Sequence, residues 1–118
     1  MRREVVFYRT ESGRSPVEDF IDSLSAKRAQ KVIWVLRLIE DLETVPVQYF
    51  KKMTGTDQLW EVRVKVGTDT YRLVGFHDGR RLVVMAHAFQ KKTRKIPRQV
   101  IRVAEARRRD YFNRRKGI

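Results

Sequence analysis

The stretch Leu59-Trp60-Glu61-Val62-Arg63-Val64-Lys65-Val66, followed by Gly67-Thr68-Asp69, decides the fold. Trp60, Val62, Val64 and Val66 alternate with Glu61, Arg63 and Lys65, which is the period of a strand with one buried and one polar face. Two more runs of β-formers follow, over 70–77 and 82–89, separated by Asp78-Gly79, a strong two-residue hairpin signal. Strands joined by turns this short are antiparallel, so the three form a meander.

Upstream, residues 4–8 read as a first strand, and Gly13 marks a turn. Ser15-Pro16-Val17-Glu18 reads as a helix start. The Ser15 hydroxyl caps free N–H groups, Pro16 suits the first helical position and Glu18 completes a capping box. Phe20, Ile21 and Leu24 should point inward from this short helix. Ser25 caps a second, longer helix over 26–42, with Ala29, Val32, Ile33, Leu36 and Ile39 at helical spacing on its buried face. Trp34 and Leu38 widen that face, which predicts contact either with the other helices or with a partner. Pro46 ends the helical region, and 44–58 is expected to be a loop carrying Lys51, Lys52 and Gly55. A last helix begins near Pro97, with Val100, Val103, Ala104 and Tyr111 as its apolar stripe. The order β-α-α-β-β-β-α predicts one α+β domain over 1–118, a twisted, mainly antiparallel sheet with helices packed on it.

The chain's 118 residues suit one domain, and 42% hydrophobic content supports a modest core. Cysteine is absent, which removes disulfides, thiolate metal sites and cysteine nucleophiles. The longest apolar run, Val32-Ile33-Trp34-Val35-Leu36, is far short of the ~18 residues that span a bilayer. Met1-Arg2-Arg3 opens like a leader, but Glu4, Arg9 and Glu11 interrupt any apolar segment. A soluble, unprocessed, cytoplasmic protein is expected, with no membrane contact.

Charge is the first sign of function. The net charge is +13, and it is unevenly placed. Residues 1–60 hold 10 basic and 9 acidic side chains, whereas residues 61–118 hold 17 and 5. Such self-repulsion points to a polyanionic partner, nucleic acid first, with an acidic protein or an anionic membrane as the other options.

Three constellations carry the candidate chemistry. Glu61, Arg63 and Lys65 share one side of their strand, and Arg72 lies on the next. Strict alternation sets Arg72 beside Val74 and Phe76, so a bulge or a concave, partly apolar site is needed to bring it to the polar face. The alternative is a solvated sheet face with weak cross-strand Glu–Arg pairs. Phe89-Gln90-Lys91-Lys92-Thr93-Arg94-Lys95-Ile96-Pro97 places four cations in five positions ahead of a helix N-terminus, an arrangement that phosphate relieves. A solvated basic loop is the competing reading. Arg107-Arg108-Arg109 and Arg114-Arg115-Lys116 suggest backbone electrostatics or a docking surface for an acidic protein. His77, beside the Asp78-Gly79 turn, is expected to be exposed, and His87 to be a satisfied sheet residue. Neither has metal-site spacing, and no phosphate-cradling glycine loop or nucleophile elbow occurs.

Leu59-Trp60-Glu61-Val62-Arg63, Tyr71-Arg72-Leu73 and Phe89-Gln90-Lys91-Lys92-Thr93-Arg94-Lys95-Ile96-Pro97 together resemble the RelE/ParE toxin superfamily, and more narrowly its phage-derived HigB-like branch. Phe7-Tyr8 and Ser15-Pro16-Val17-Glu18-Asp19-Phe20 match too. Ile96 replaces the threonine often found before that proline. The resemblance implies the toxin of a type II toxin–antitoxin pair, a ribosome-dependent mRNA endonuclease that inhibits translation. It implies a helix-turn-helix antitoxin as partner, with ribosome and mRNA as targets and no cofactor. Arg72 matches the arginine on the scissile phosphate, Lys91 and Lys92 the basic pair, and Arg63 the strand arginine. Glu61 is the alternative base, and Lys51, Lys52, Lys65, Arg94 and Lys95 are candidate RNA contacts. Two alternatives stand beside this one: a ParE-like gyrase inhibitor without nuclease activity, and a non-catalytic nucleic-acid-binding module.

Overall fold

The structure, a computed structural model, describes residues 2–116; Met1, Gly117 and Ile118, and the side chain of Lys116, lie outside the described residues. Along the chain the elements are β1 (Glu4–Phe7), α1 (Pro16–Asp22), α2 (Ala26–Asp41), β2 (Phe50–Lys52), β3 (Trp60–Val66), β4 (Asp69–Asp78), β5 (Leu82–Lys91) and α3 (Arg98–Lys116). The α+β architecture is as expected. The five strands form one sheet in the order β1-β5-β4-β3-β2, with β1 parallel to β5 and every other pair antiparallel.

Both helix starts use their serines. Ser15 Oγ accepts from the Glu18 N–H at 3.3 Å and Ser25 Oγ from the Arg28 N–H at 3.4 Å, each satisfying a donor the helix leaves free. The Glu18 carboxylate pairs with Arg9. β2 is the element the sequence does not announce. It falls inside the expected 44–58 loop, because three residues with a single apolar side chain carry no alternation. Pairing with β3 at Phe50↔Val62 and Lys51↔Glu61 makes it a strand.

α1 and α2 cover one face of the sheet. Val17, Ile21, Val32, Val35, Leu36 and Ile39 pack there on Val62, Val64, Tyr71, Leu73, Val83 and Met85. Each fully buried aliphatic side chain stabilises the fold by about 1.5–3 kcal/mol. Val17 is buried where the helical spacing picked Phe20 and Leu24, which pack only in part. Trp34 is 46% exposed, so at that position the other helices do not cover the wider apolar face of α2. His77 also departs from expectation. It is half-buried against the Phe50 and Trp60 rings, at 5.7 and 4.9 Å between centroids, because β2 walls in its side of the sheet.

The other face is covered at one end only. There Val100 and Ala104 of α3 meet Leu59 and Val74, and Tyr111 and Phe112 pack on Tyr8, Phe76, Val84 and Ala86. The β4–β5 register slips at this end. Val74 pairs with His87 and Gly75 with Met85, so β5 carries one extra residue, Ala86. Such a bulge reverses the parity of the residues beyond it. Counting on from Val84 without it would put Phe89 and Lys91 on the α2 face. With it, His87, Phe89 and Lys91 share the face of Arg72. Gly75 makes the slip possible: a Cβ there would lie 2.1 Å from the Val84 carbonyl oxygen.

Candidate active site

The face that α3 leaves open is built by β3, β4 and the end of β5. Arg72 sits directly opposite Arg63, and Glu61 lies two residues along β3 on the same side. Arg72 therefore shares its side with Val74 and Phe76, as alternation requires, but those two belong to the part covered by α3. Two guanidinium groups directly opposite each other repel. Glu61 resolves the conflict by accepting from both: Arg72 Nη1 donates to Oε2 at 2.5 Å and Arg63 Nε to Oε1 at 3.0 Å. Glu61 and Arg72 are only 5% and 7% exposed, so this is not a solvated sheet face. Arg72 Nε is buried with no hydrogen-bond partner among the described residues.

Lys91 joins this group. Its ammonium pKa is pushed below the ordinary lysine range, first by partial burial, then by the Arg72 and Arg63 cations, with Glu61 opposing them. Lys92 follows the strand end and is exposed, as is Arg94. The bulge thus selects Lys91 of the basic pair. Two cavities open on this group. Arg63, Lys65, Thr70 and Arg72 line one of about 480 Å³, which Lys31, Gln48 and Tyr49 complete. Lys51, Lys52, Glu61, Lys95 and Ile96 line another of about 560 Å³ with Met53, Thr54 and Ile101. Lys51 comes to Glu61 because β2 pairs the two directly.

Several arginines of α3 make bonds within the domain. Arg107 Nη1 donates to the Ala86 carbonyl at 2.7 Å and lies 3.1 Å from His87 Nδ1, tying α3 to the bulge. Burial and Arg107 lower the His87 pKa, which favours the neutral imidazole as acceptor. Arg108 pairs with Asp57 and Arg115 with Asp78, and Arg114 Nη2 donates to the Arg9 carbonyl oxygen. These side chains pin the helix to the body of the domain.

The sequence profile of the phage-derived protein Gp49-like family (DUF891) matches residues 19–109, well over half of the chain. The chain belongs to the Gp49-like family. That family is RelE-like and toxin-related, which agrees with the fold. No curated protein matches the chain. The Gp49-like match takes in β3, β4, β5 and most of α3, so every residue of the Glu61–Arg63–Arg72–Lys91 cluster lies inside it. Among the described residues of this Gp49-like chain, no helix is long and apolar enough to cross a membrane. No three acidic or histidine side chains there come together as a metal centre would need.

Proposed function

We propose that this Gp49-like protein is the toxin of a type II toxin–antitoxin pair, of the HigB-like branch, and that it cuts ribosome-bound mRNA without a metal ion. The observation that carries the reading is the buried Arg72 guanidinium, held by Glu61 on the floor of a cationic hollow beside a lysine of depressed pKa. The attacking group is the ribose 2′-OH, which adds to the adjacent phosphorus and expels the 5′-oxygen of the next nucleotide. Negative charge builds on the non-bridging oxygens in that transition state. Fixed guanidinium donors in a site of low dielectric stabilise it far more than they would in water.

Arg72 and Arg63 take this role, and the unpaired Arg72 Nε–H gains an acceptor when a phosphate oxygen enters. Lys91 gives its proton to the leaving 5′-oxygen. Partial burial, then the neighbouring cations, make it a stronger acid, which suits a donor working near neutral pH. Both Glu61 oxygens are engaged by arginines, so Glu61 acts as a positioning residue and solvent takes the 2′-OH proton. Lys51, Lys65 and Lys95 at the rims of the two cavities hold flanking phosphates, and Lys52, Lys92 and Arg94 add to the field that draws in the polyanion. The partner that neutralises the toxin is a helix-turn-helix antitoxin, and the site of action is the cytoplasm.

Induction of the chain in growing cells, with transcript 5′ ends mapped at intervals, tests this. Cuts inside translated messages, absent with Arg72→Ala, are expected. Intact messages together with a loss of DNA supercoiling would replace this reading with gyrase inhibition.

A further inference from the structure

The open side of β3 leads out of the site. β2 pairs only with Trp60, Glu61 and Val62 of β3, and after the bond from Arg63 N–H to the Tyr49 carbonyl no further strand covers this edge. The cavity holding Arg72 shares Lys31 and Lys65 with a second hollow, lined also by Lys27, Gln30 and Trp34. That hollow shares Gln30 and Trp34 with a third, along α2, where Ile33 and Arg37 complete the wall. These three adjoining hollows form a trench that leads from Arg72 over the sheet edge to Trp34.

Among the described residues, no carboxylate lines any of its three parts. Lys27, Lys31, Arg37 and Lys65 have no ion-pair partner among the described residues. This is the electrostatic form of a groove for a phosphate backbone. Trp34 adds the other half of such a groove. It is 46% exposed, braced edge-on by Tyr49 at 6.0 Å, with the Lys31 ammonium 4.4 Å from its ring centroid. An exposed indole steadied by one aromatic and flanked by cations is a stacking platform for a nucleobase, and any of the four bases offers it a π-face.

We propose that single-stranded RNA gripped at Arg72 continues over the edge of β3 and stacks a base on Trp34, with Lys31 and Lys65 on the intervening phosphates. This rests on the RNA-cutting reading and extends it by a second contact point remote from the scissile bond. A base entering above the indole displaces the Lys31 ammonium onto its own phosphate, so the cation keeps an anionic partner.

The test uses the whole chain and two 2′-O-methyl oligouridylates, which cannot be cut. The probes are about 3 and about 12 nucleotides long, below and within the usual range of single-strand sites. The long probe should bind more tightly than the short one. Trp34→Ala should weaken the long probe about 5- to 100-fold, the range of base–aromatic stacking at tenfold per 1.4 kcal/mol, and leave the short one unchanged. Trp34→Phe should retain most of the difference. Lys31→Ala should reduce the salt slope of the long probe by about 0.7. In a Trp60→Phe background, Trp34 emission should be quenched by the long probe.

Unchanged binding of both probes by Trp34→Ala overturns the proposal. So does quenching by an acidic polypeptide but not by RNA, which would make the trench a protein-docking surface. If Arg72-dependent transcript cutting persists alongside either result, only the trench falls. If the wild-type chain binds neither probe and cuts nothing, the RNA-cutting reading falls with it.

Discussion

Replacing Glu61 by leucine removes the only carboxylate paired with the Arg72 guanidinium among the described residues, leaving that cation buried without a counter-charge. Breaking a buried ion pair from one side typically costs about 3–5 kcal/mol. The whole domain is expected to have only about 5–15 kcal/mol of stability. At roughly 4 °C per kcal/mol for a chain of this size, Glu61→Leu should melt about 12–20 °C below the parent. Arg72→Met should cost less, since Glu61 keeps Arg63, whose side chain is 35% exposed and hydrated. The informative protein is the double variant. With both buried charges replaced by apolar side chains of similar volume, stability should return to within about 1–2 kcal/mol of the parent, well short of the sum of the two single losses. Urea unfolding of the four proteins measures this directly. The double variant should be folded and yet inactive, which separates the role of the pair in stability from its role in catalysis. Stability losses that simply add, leaving the double variant the least stable of the four, would refute the claim that Arg72 and Glu61 depend on each other.

Lys91 acts protonated, so activity should fall as pH rises through a pKa below the ~10.4 of a free lysine. Arg63→Gln removes one of the cations that depress it and should move that alkaline limb upward in a pH–rate profile. Gly75→Ala should lose soluble expression or fall by several kcal/mol in stability, because its Cβ has neither backbone nor Met85 side-chain room. Burial, helped by Arg3 and Arg107 respectively, lowers the pKa of His77 and His87. Between the folded and unfolded pKa values the unfolded chain binds more protons, so stability should hold above pH ~6.5 and decline below it. Thermal melts from pH 5 to 8 should show a shallower acid decline for His77→Phe.

Much of the fold is legible because its signals are local. The alternation from Leu59 to Val66, the turn glycine Gly79 and the two serine caps each act over a few residues, and the structure uses all of them, although the β4–β5 turn is three residues long, 79–81, with Asp78 still paired to Leu82. The site is harder to read because it depends on parity. Phe89 and Lys91 reach Arg72 only through the extra residue at Ala86, and nothing in Ala86-His87-Ala88 marks a bulge. The available signal was Gly75, a glycine inside a strand run, which often marks a bulge or a close backbone approach. Arg72 was placed correctly by alternation, but its apolar companions Val74 and Phe76 made sense only once α3 was known to cover them. Arg107 offered no signal, since a bond to a sheet carbonyl 21 residues away in the chain leaves no trace in a run of three arginines. Trp34 gave an ambiguous one. A large aromatic at the margin of a helical stripe fits burial as well as it fits the exposed position it takes.

The end groups left on a cut message test the central claim most directly. Purified protein, translating ribosomes and a defined mRNA should yield fragments ending in a 2′,3′-cyclic phosphate on one side and a 5′-hydroxyl on the other. The rate should be about 10²–10³-fold lower with Arg72→Ala. Fragments carrying a 5′-phosphate, or an undiminished rate without the Arg72 guanidinium, would contradict it.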